Sequence, residues 1–382
     1  MSFRTWCARR FPPALATALL LCLPLSIQAA ERWKIQFSYE KYQSVLDLRD
    51  IQCPSSARCI AAGVISEKSG HSKSTVLLTV DQGKNWSFVD VRERPVSLFF
   101  LNDSLGWMVT DRGVWATDEG GRAWRKLEGL KKGIVRVYFR DPLHGFAIGF
   151  PKAVFATTDG GKTWTNVAAA GDAATRAEET VYDCISFLGQ HGVITGRVSG
   201  PQDEREPIWM NPQEAPFRRQ RRSTVAILET LDGGKNWKTW TSSAYGNITR
   251  VQLAPDGSAI ALFEYHEYYT VPSSVAKLNF ESKGVKTFFR ESDRAVTDFA
   301  LLPNGNAILA AVEPPGTSNQ VPIPGKLRIL GSKNMRVWVE MDVDYRAVAQ
   351  RVTLAAPDAR HVWAATDTGM ILNLVDTENS SR

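Results

Sequence analysis

The sequence predicts an all-β protein, a seven-bladed β-propeller whose last blade is closed by the N-terminal strand. Three observations predict it. An eight-residue box recurs four times, a hairpin pattern recurs seven times, and one period-two strand at the start of the fold has no neighbour of its own. The box reads Thr-x-(Asp/Glu)-x-Gly-x-x-Trp. It occurs as TVDQGKNW ending at Trp86, TDEGGRAW at Trp124, TTDGGKTW at Trp164 and TLDGGKNW at Trp237. Its carboxylates, Asp81, Glu119, Asp159 and Asp232, are placed to accept hydrogen bonds from backbone N–H groups just downstream. The glycines supply the positive φ of a tight turn, and the tryptophan pins that turn to the sheet. A turn that recurs once per unit has a structural role, so these eight residues are assigned to folding.

The tryptophans are 38, 40 and 73 residues apart, so the last interval holds one enlarged unit or two small ones. The hairpin pattern decides. An apolar run, a turn and a Gly-apolar-x-apolar run precede each box: LDLRDIQCPSSARCIAAG, SLFFLNDSLGWMVT, RVYFRDPLHGFAIG and DCISFLGQHGVITG. The same shape returns at Arg250, Asp298 and Arg351, where the boxes fade. Seven such hairpins, each backed by two more strands, are seven propeller blades. The long interval is one blade with an insertion at about 197–223.

Closure follows from the two ends. After the seventh hairpin only GMILNLV near Gly369 remains, so the last blade lacks an outer strand. Trp33, Ile35, Phe37 and Tyr39 alternate with Lys34, Gln36 and Ser38, a half-buried strand pattern. Placing that strand in the last blade removes an exposed edge.

Residues 1–30 read as a secretory signal peptide: three arginines, an apolar run from Ala14 to Leu25, then small residues to Ala30. The expected mature chain, 31–382, is one propeller domain, exported and periplasmic or secreted. No other stretch has the ~20 apolar residues of a membrane span. The signal arginines account for half of the formal charge of +6, which leaves no basis for nucleic-acid binding. Cys53 and Cys59 flank the first hairpin turn, and an oxidising compartment allows them a disulfide. Cys184 lies in an apolar strand as a buried small residue. No metal-ligand spacing occurs, and no cofactor is expected.

The boxes resemble the bacterial neuraminidase repeat, or Asp-box. Together with hairpins such as FFLNDSLGWMV and FRDPLHGFAIG, they make the chain similar to the photosystem II stability and assembly factor family, as a non-photosynthetic bacterial relative. The resemblance spans the whole mature chain and is strongest from about Val96 to Trp164. It implies a non-enzymatic ring that serves as a protein-binding platform. In photosynthetic members an arginine-rich surface takes a reaction-centre subunit precursor.

Function is expected on the face opposite the boxes, because the long connections between second and third strands all emerge there. Aligning the hairpins places Ser97, Arg136, Asp183, Arg250, Asp298 and Arg351 at one position around the channel mouth. Three arginines with two aspartates suit an acidic segment or a C-terminal carboxylate of an envelope protein. They equally suit a network in which Arg and Asp satisfy one another. The insertions add Trp209, Arg218, Arg219, Arg221 and Arg222 in the fourth blade, and Tyr265 and His266 in the fifth, as further contact residues. The expected protein is a monomeric assembly or stability factor. The competing reading is a sialidase-like glycoside hydrolase, with Arg136, Arg250 and Arg351 as a carboxylate-binding triad beside Glu264 and Tyr265. Against it, seven blades exceed the six of sialidases, and no catalytic constellation stands out.

Overall fold

In the computed structural model the described residues are 31–130, 132–199, 223–265, 271–313 and 325–376. They form seven sheets arranged as a β-propeller, antiparallel except where Arg32 and Trp33 pair in parallel with Asp342 and Val343. Blade 1 comprises Ser44–Gln52, Cys59–Glu67, Ser72–Thr79 and Ser87–Val91, and blade 2 runs from Pro95 to Lys126. Blade 3 spans Ile134–Phe139 to Thr165–Asn166, and blade 4 Thr180–Leu188 to Lys238–Ala244. Blade 5 begins with Asn247–Leu253, blade 6 with Ala295–Leu301 and blade 7 with Val352–Ala355. Blade 4 pairs His191–Val198 directly with Ser223–Thr230, so the long interval between boxes is one blade.

The core is divided by the blade interfaces. Seven apolar clusters are present, each built from two neighbouring blades. Each blade is apolar on both faces because both are covered by another sheet. Between blades 2 and 3, Trp107 stacks on Phe139 with ring centroids 3.6 Å apart. Between blades 3 and 4, Tyr138 stacks on Phe187 at 4.9 Å.

Glu31–Ser38 is the outer strand of blade 7, antiparallel to Met370–Asp376. The regular alternation from Trp33 to Tyr39 predicts a single buried face. The structure differs, because the register shifts between Ile35 and Phe37 and leaves Gln36 as a bulge residue. One extra residue reverses which face a side chain takes. Trp33 and Ile35 therefore join the core between blades 6 and 7, whereas Phe37 and Tyr39 join the core between blades 7 and 1. One strand thus anchors both neighbours of its own blade.

Three boxes share one hydrogen-bond pattern. In the third, Thr157 Oγ1 donates to Asp159 Oδ1 at 2.8 Å and accepts from Gly161 N at 2.9 Å. Asp159 Oδ1 also accepts from Thr163 N at 2.9 Å. Asp81 and Asp232 repeat this with Asn85 and Asn236. The Asn85 side chain and these backbone donors hold the Asp81 carboxyl down at about 2. Glu119 departs from the expectation. Its carboxylate accepts no bond in the turn, and Thr117 Oγ1 alone receives Glu119 N and Gly121 N, both at 3.1 Å. The extra methylene carries the Glu carboxylate past the donors that Asp reaches. Blade 6 holds a fifth, degenerate turn: Asn334 accepts from Arg336 N and Val337 N, and Trp338 packs edge-on against Phe289.

The box turns are also clamped between blades. Arg58, in the first hairpin turn of blade 1, donates to Gly120 O in the box of blade 2 at 3.1 Å. Arg140 of blade 3 does the same to Gly233 O of blade 4 at 3.1 Å. Cys53 and Cys59 are joined by a disulfide across the turn that carries Arg58, and Cys184 is free and buried.

Candidate functional site

The first strand of each blade lines the channel, and its backbone geometry selects one residue per blade. In blades 1 to 6 a register shift falls just before that residue: between Leu48 and Asp50, Pro95 and Ser97, Ile134 and Arg136, Tyr182 and Cys184, Ile248 and Arg250, and Val296 and Asp298. A bulge lets the following side chain reach sideways toward the next blade. Ser97 Oγ donates to Val135 O at 2.7 Å, and Arg136 Nε donates to Asp183 O at 2.9 Å. Asp50 accepts from Leu98 N and Asp298 from Leu354 N, both at 2.8 Å. Arg250 Nε lies 3.2 Å from Asp298 Oδ1. Each of these residues grips the blade that follows it, and Cys184 Sγ reaches Ile248 O at 3.8 Å in the same way. Thr353 Oγ1 is buried without a partner, so among the described residues this belt runs from blade 1 to blade 7 without linking 7 to 1.

This belt corrects the aligned position in three ways. Asp183 is itself the bulge residue, and Cys184 takes the position expected of it. In blade 7 the position belongs to Thr353, since Leu354 N is the donor to Asp298; Arg351 precedes the strand and is exposed. Asp50, which the sequence reading passed over, completes the set from blade 1. The stretch from Phe187 to Gly192 in blade 4 is one residue shorter than that from Phe139 to Gly145 in blade 3, which offsets an ungapped alignment by one residue. A second correction concerns height. Arg136, Arg250 and Asp298 stand within their strands, so they belong to the channel wall. Arg351 is at the rim. Its N–H donates to Asp367 Oδ2 at 3.1 Å, and its guanidinium enters no ion pair among the described residues.

The charges in the wall are arranged to cancel. Burial pushes the Asp50 carboxyl up, opposed by the positive charges of Arg136 and Arg250. Asp298 raises the Arg250 guanidinium above its ordinary value. Nearer the mouth, Arg197 Nε lies 3.3 Å from Asp183 Oδ2, while Asp183 Oδ1 is buried without a hydrogen-bond partner. Burial pushes Asp183 up to about 6, against the pull of Arg197 and Arg136. Glu264 is open to solvent, yet desolvation raises its carboxyl while Thr249 Oγ1 donates to it at 3.0 Å. Arg136 and Arg250 both act on Asp50, whereas Arg351 stands at the rim and acts on Glu264, so the three do not form a triad around one carboxylate.

Tyr265 lies at the same face, its hydroxyl 2.6 Å from Ser274 Oγ, with Arg290 over its ring at 5.6 Å. Trp209, Arg218, Arg219, Arg221, Arg222 and His266 lie outside the described residues, as does the segment 1–30. Among the described residues no group of His, Cys, Asp and Glu could hold a metal ion, and no helix is long and apolar enough to cross a membrane.

A ring of seven blades, four of them carrying Asp-box turns, defines the class of this protein. Residues 126–199 match the family model described as photosynthesis system II assembly factor YCF48. A photosystem II assembly lipoprotein Ycf48 of Picosynechococcus is 30% identical over 172 residues, covering 38% of this chain and 48% of the relative. The Trichormus variabilis counterpart is 28% identical over 150 residues, covering 35% and 43%. The match thus spans about half the length of these relatives. The solved structure of YCF48 bound to a D1 peptide superposes with a TM-score of 0.57 at 15% identity, covering 91% of this chain and 99% of that one. PorZ, a surface component of the type-IX secretion system of Porphyromonas gingivalis, gives 0.56 at 12% identity over 91% of this chain and 48% of its own. The chain is a photosystem II assembly factor-like Asp-box propeller.

Proposed function

We propose that this protein is an exported, non-enzymatic propeller that binds a protein partner at the channel mouth opposite the boxes, and so helps an envelope complex to assemble. The carrying observation is the rim: Arg351 enters no ion pair among the described residues, and it and Arg197 both act on the Glu264 carboxyl at the mouth. A guanidinium fork on a rigid rim suits a carboxylate of an acidic segment or of a chain terminus. The neighbouring YCF48 structure carries a peptide on the same fold, which supports a protein ligand here. The whole-protein role of the Ycf48 relatives extends to this chain only as part of this proposal, with a partner other than a photosystem. Export rests on the reading of residues 1–30 as a signal peptide. The glycoside-hydrolase reading is weaker, because Arg136 and Arg250 lie in the wall and act on Asp50, while Arg351 stands at the rim and acts on Glu264.

The test is crosslinking capture from the periplasm, with wild type compared against Arg351→Glu. Loss of one specific partner at unchanged thermal stability supports the reading. Undiminished capture removes the rim from it.

A further inference from the structure

We propose that binding at this mouth is coupled to proton uptake, Asp183 taking a proton as an incoming carboxylate replaces it on Arg197. The inference rests on the binding reading above and adds its control. Asp183 sits on a bulge at the mouth, where its carboxylate occupies the place an anionic ligand would take. Arg197 Nε approaches its Oδ2 at 3.3 Å, and Arg136 Nε is held on its backbone carbonyl at 2.9 Å. The other oxygen, Oδ1, is buried and has no donor. Such an atom gains a favourable state when it carries the proton itself.

The charged and titratable groups around Asp183 come from three blades. Arg136 approaches from blade 3 and Arg197 and Cys184 belong to blade 4, while Arg250 of blade 5 acts on Cys184 and Glu264 of blade 5 is acted on by Arg197. The arginines stay charged throughout, and burial keeps Cys184 a neutral thiol. Glu264 has its own partners, Thr249 donating to it and Arg351 acting on it, so the proton is assigned to Asp183 alone. With Asp183 ionised, the mouth is close to neutral and a second carboxylate is repelled. With Asp183 neutral, Arg197 is free to pair with the ligand. One proton enters for each carboxylate accepted, and no other bond changes.

The experiment uses N-acetylated tetra-aspartate as the probe, whose own carboxylates stay largely ionised at both pH values. Titration calorimetry is run on the full mature chain at about pH 5.5 and about pH 7.5, in buffers of different ionisation heat. Expected is about tenfold tighter binding at the lower pH, with close to one proton taken up at the higher, since a group with a pKa near 6 changes its protonated fraction by more than that. Asp183→Asn should bind equally tightly at both pH values with no proton uptake. Equal affinity of wild type at both pH values overturns the coupling and leaves the binding reading intact. A pH dependence that survives in Asp183→Asn assigns the effect to another group and also overturns it. No binding by either protein at either pH overturns the coupling together with the mouth as an anion site. Continued capture of a cellular partner would then leave the propeller as a platform that uses other loops.

Discussion

Arg250 and Asp298 face each other across the boundary of blades 5 and 6, 3.2 Å apart, and Asp298 then reaches on to the backbone of blade 7. One carboxylate therefore ties three blades. Reversing Arg250 would set two negative charges together in a wall with little solvent, whereas reversing Arg351 changes only an exposed rim group. Arg250→Glu should lower the melting temperature strongly, because an uncompensated buried charge costs about 3–5 kcal/mol. Arg351→Glu should melt within a degree or two of wild type, as exposed charges contribute about 0–1 kcal/mol. Thermal melts of the two variants side by side check this. Equal stability would mean that the belt carries no load.

Asp183 makes a pH prediction for stability. Its folded value of about 6 lies above the ordinary aspartate value. The folded state thus holds a proton that the unfolded state has released, and stability falls as pH rises from about 4 through 6. Above that window the full burden of the ionised group remains. Asp183→Asn removes the burden, so it should raise the melting temperature more at pH 7.5 than at pH 5. A uniform loss at both pH values would show that the Arg197 pair is net stabilising.

The boxes give the opposite pH sign. Asp81, Asp159 and Asp232 are held at about 2, below the ordinary value. Their contribution is present at neutral pH and is lost as pH falls from about 4 toward 2. Thr157 is buried and serves both Asp159 and Gly161. Thr157→Val should cost about 1–3 kcal/mol, the penalty of orphaned turn donors. Urea unfolding at neutral pH measures it.

The disulfide closes a loop of few residues. Loop entropy sets its stabilisation at about 2 kcal/mol. Cys53→Ala should show that loss, and the intact protein should lack the mass of two hydrogens relative to the reduced chain. Alkylation of Cys59 under native oxidising conditions would contradict the bridge.

Trp33 is fully buried in the outer strand of blade 7. Trp33→Ala should cost about 3–5 kcal/mol, the usual range for a large core aromatic. Removing residues 31–38 should open the ring, detected as faster hydrogen exchange in the strands of blades 7 and 1. A deletion variant with native protection there would refute closure by this strand.

The architecture was legible because repetition carries it. Box spacing, hairpin shape and the unpartnered strand from Trp33 to Tyr39 together imply seven blades and their closure. The site was legible in chemistry and displaced in register. Ser97, Arg136, Arg250 and Asp298 share the aligned position, but a shorter hairpin turn offsets blade 4 by one residue. Blade 7 is matched two residues early because its turn is as long as that of blade 3: Ala355 pairs with Trp363 as Tyr138 pairs with Phe146. Asp50 was missed because LRDIQC hides an acidic residue behind Arg49, which turns away to Asp47. Bulges are set by backbone geometry and leave little mark on composition.

Pairing of Glu31 with Asp376 joins almost the two ends of the described chain. Such a contact is the costliest loop to close and belongs late in folding. A chain delivered N-terminus first displays Trp33, Ile35, Phe37 and Tyr39 long before their mates exist. For that whole interval the strand is an unpaired segment with an apolar side chain at every second position. The seal that leaves the finished ring without a loose edge is thus the growing chain's longest-lived liability.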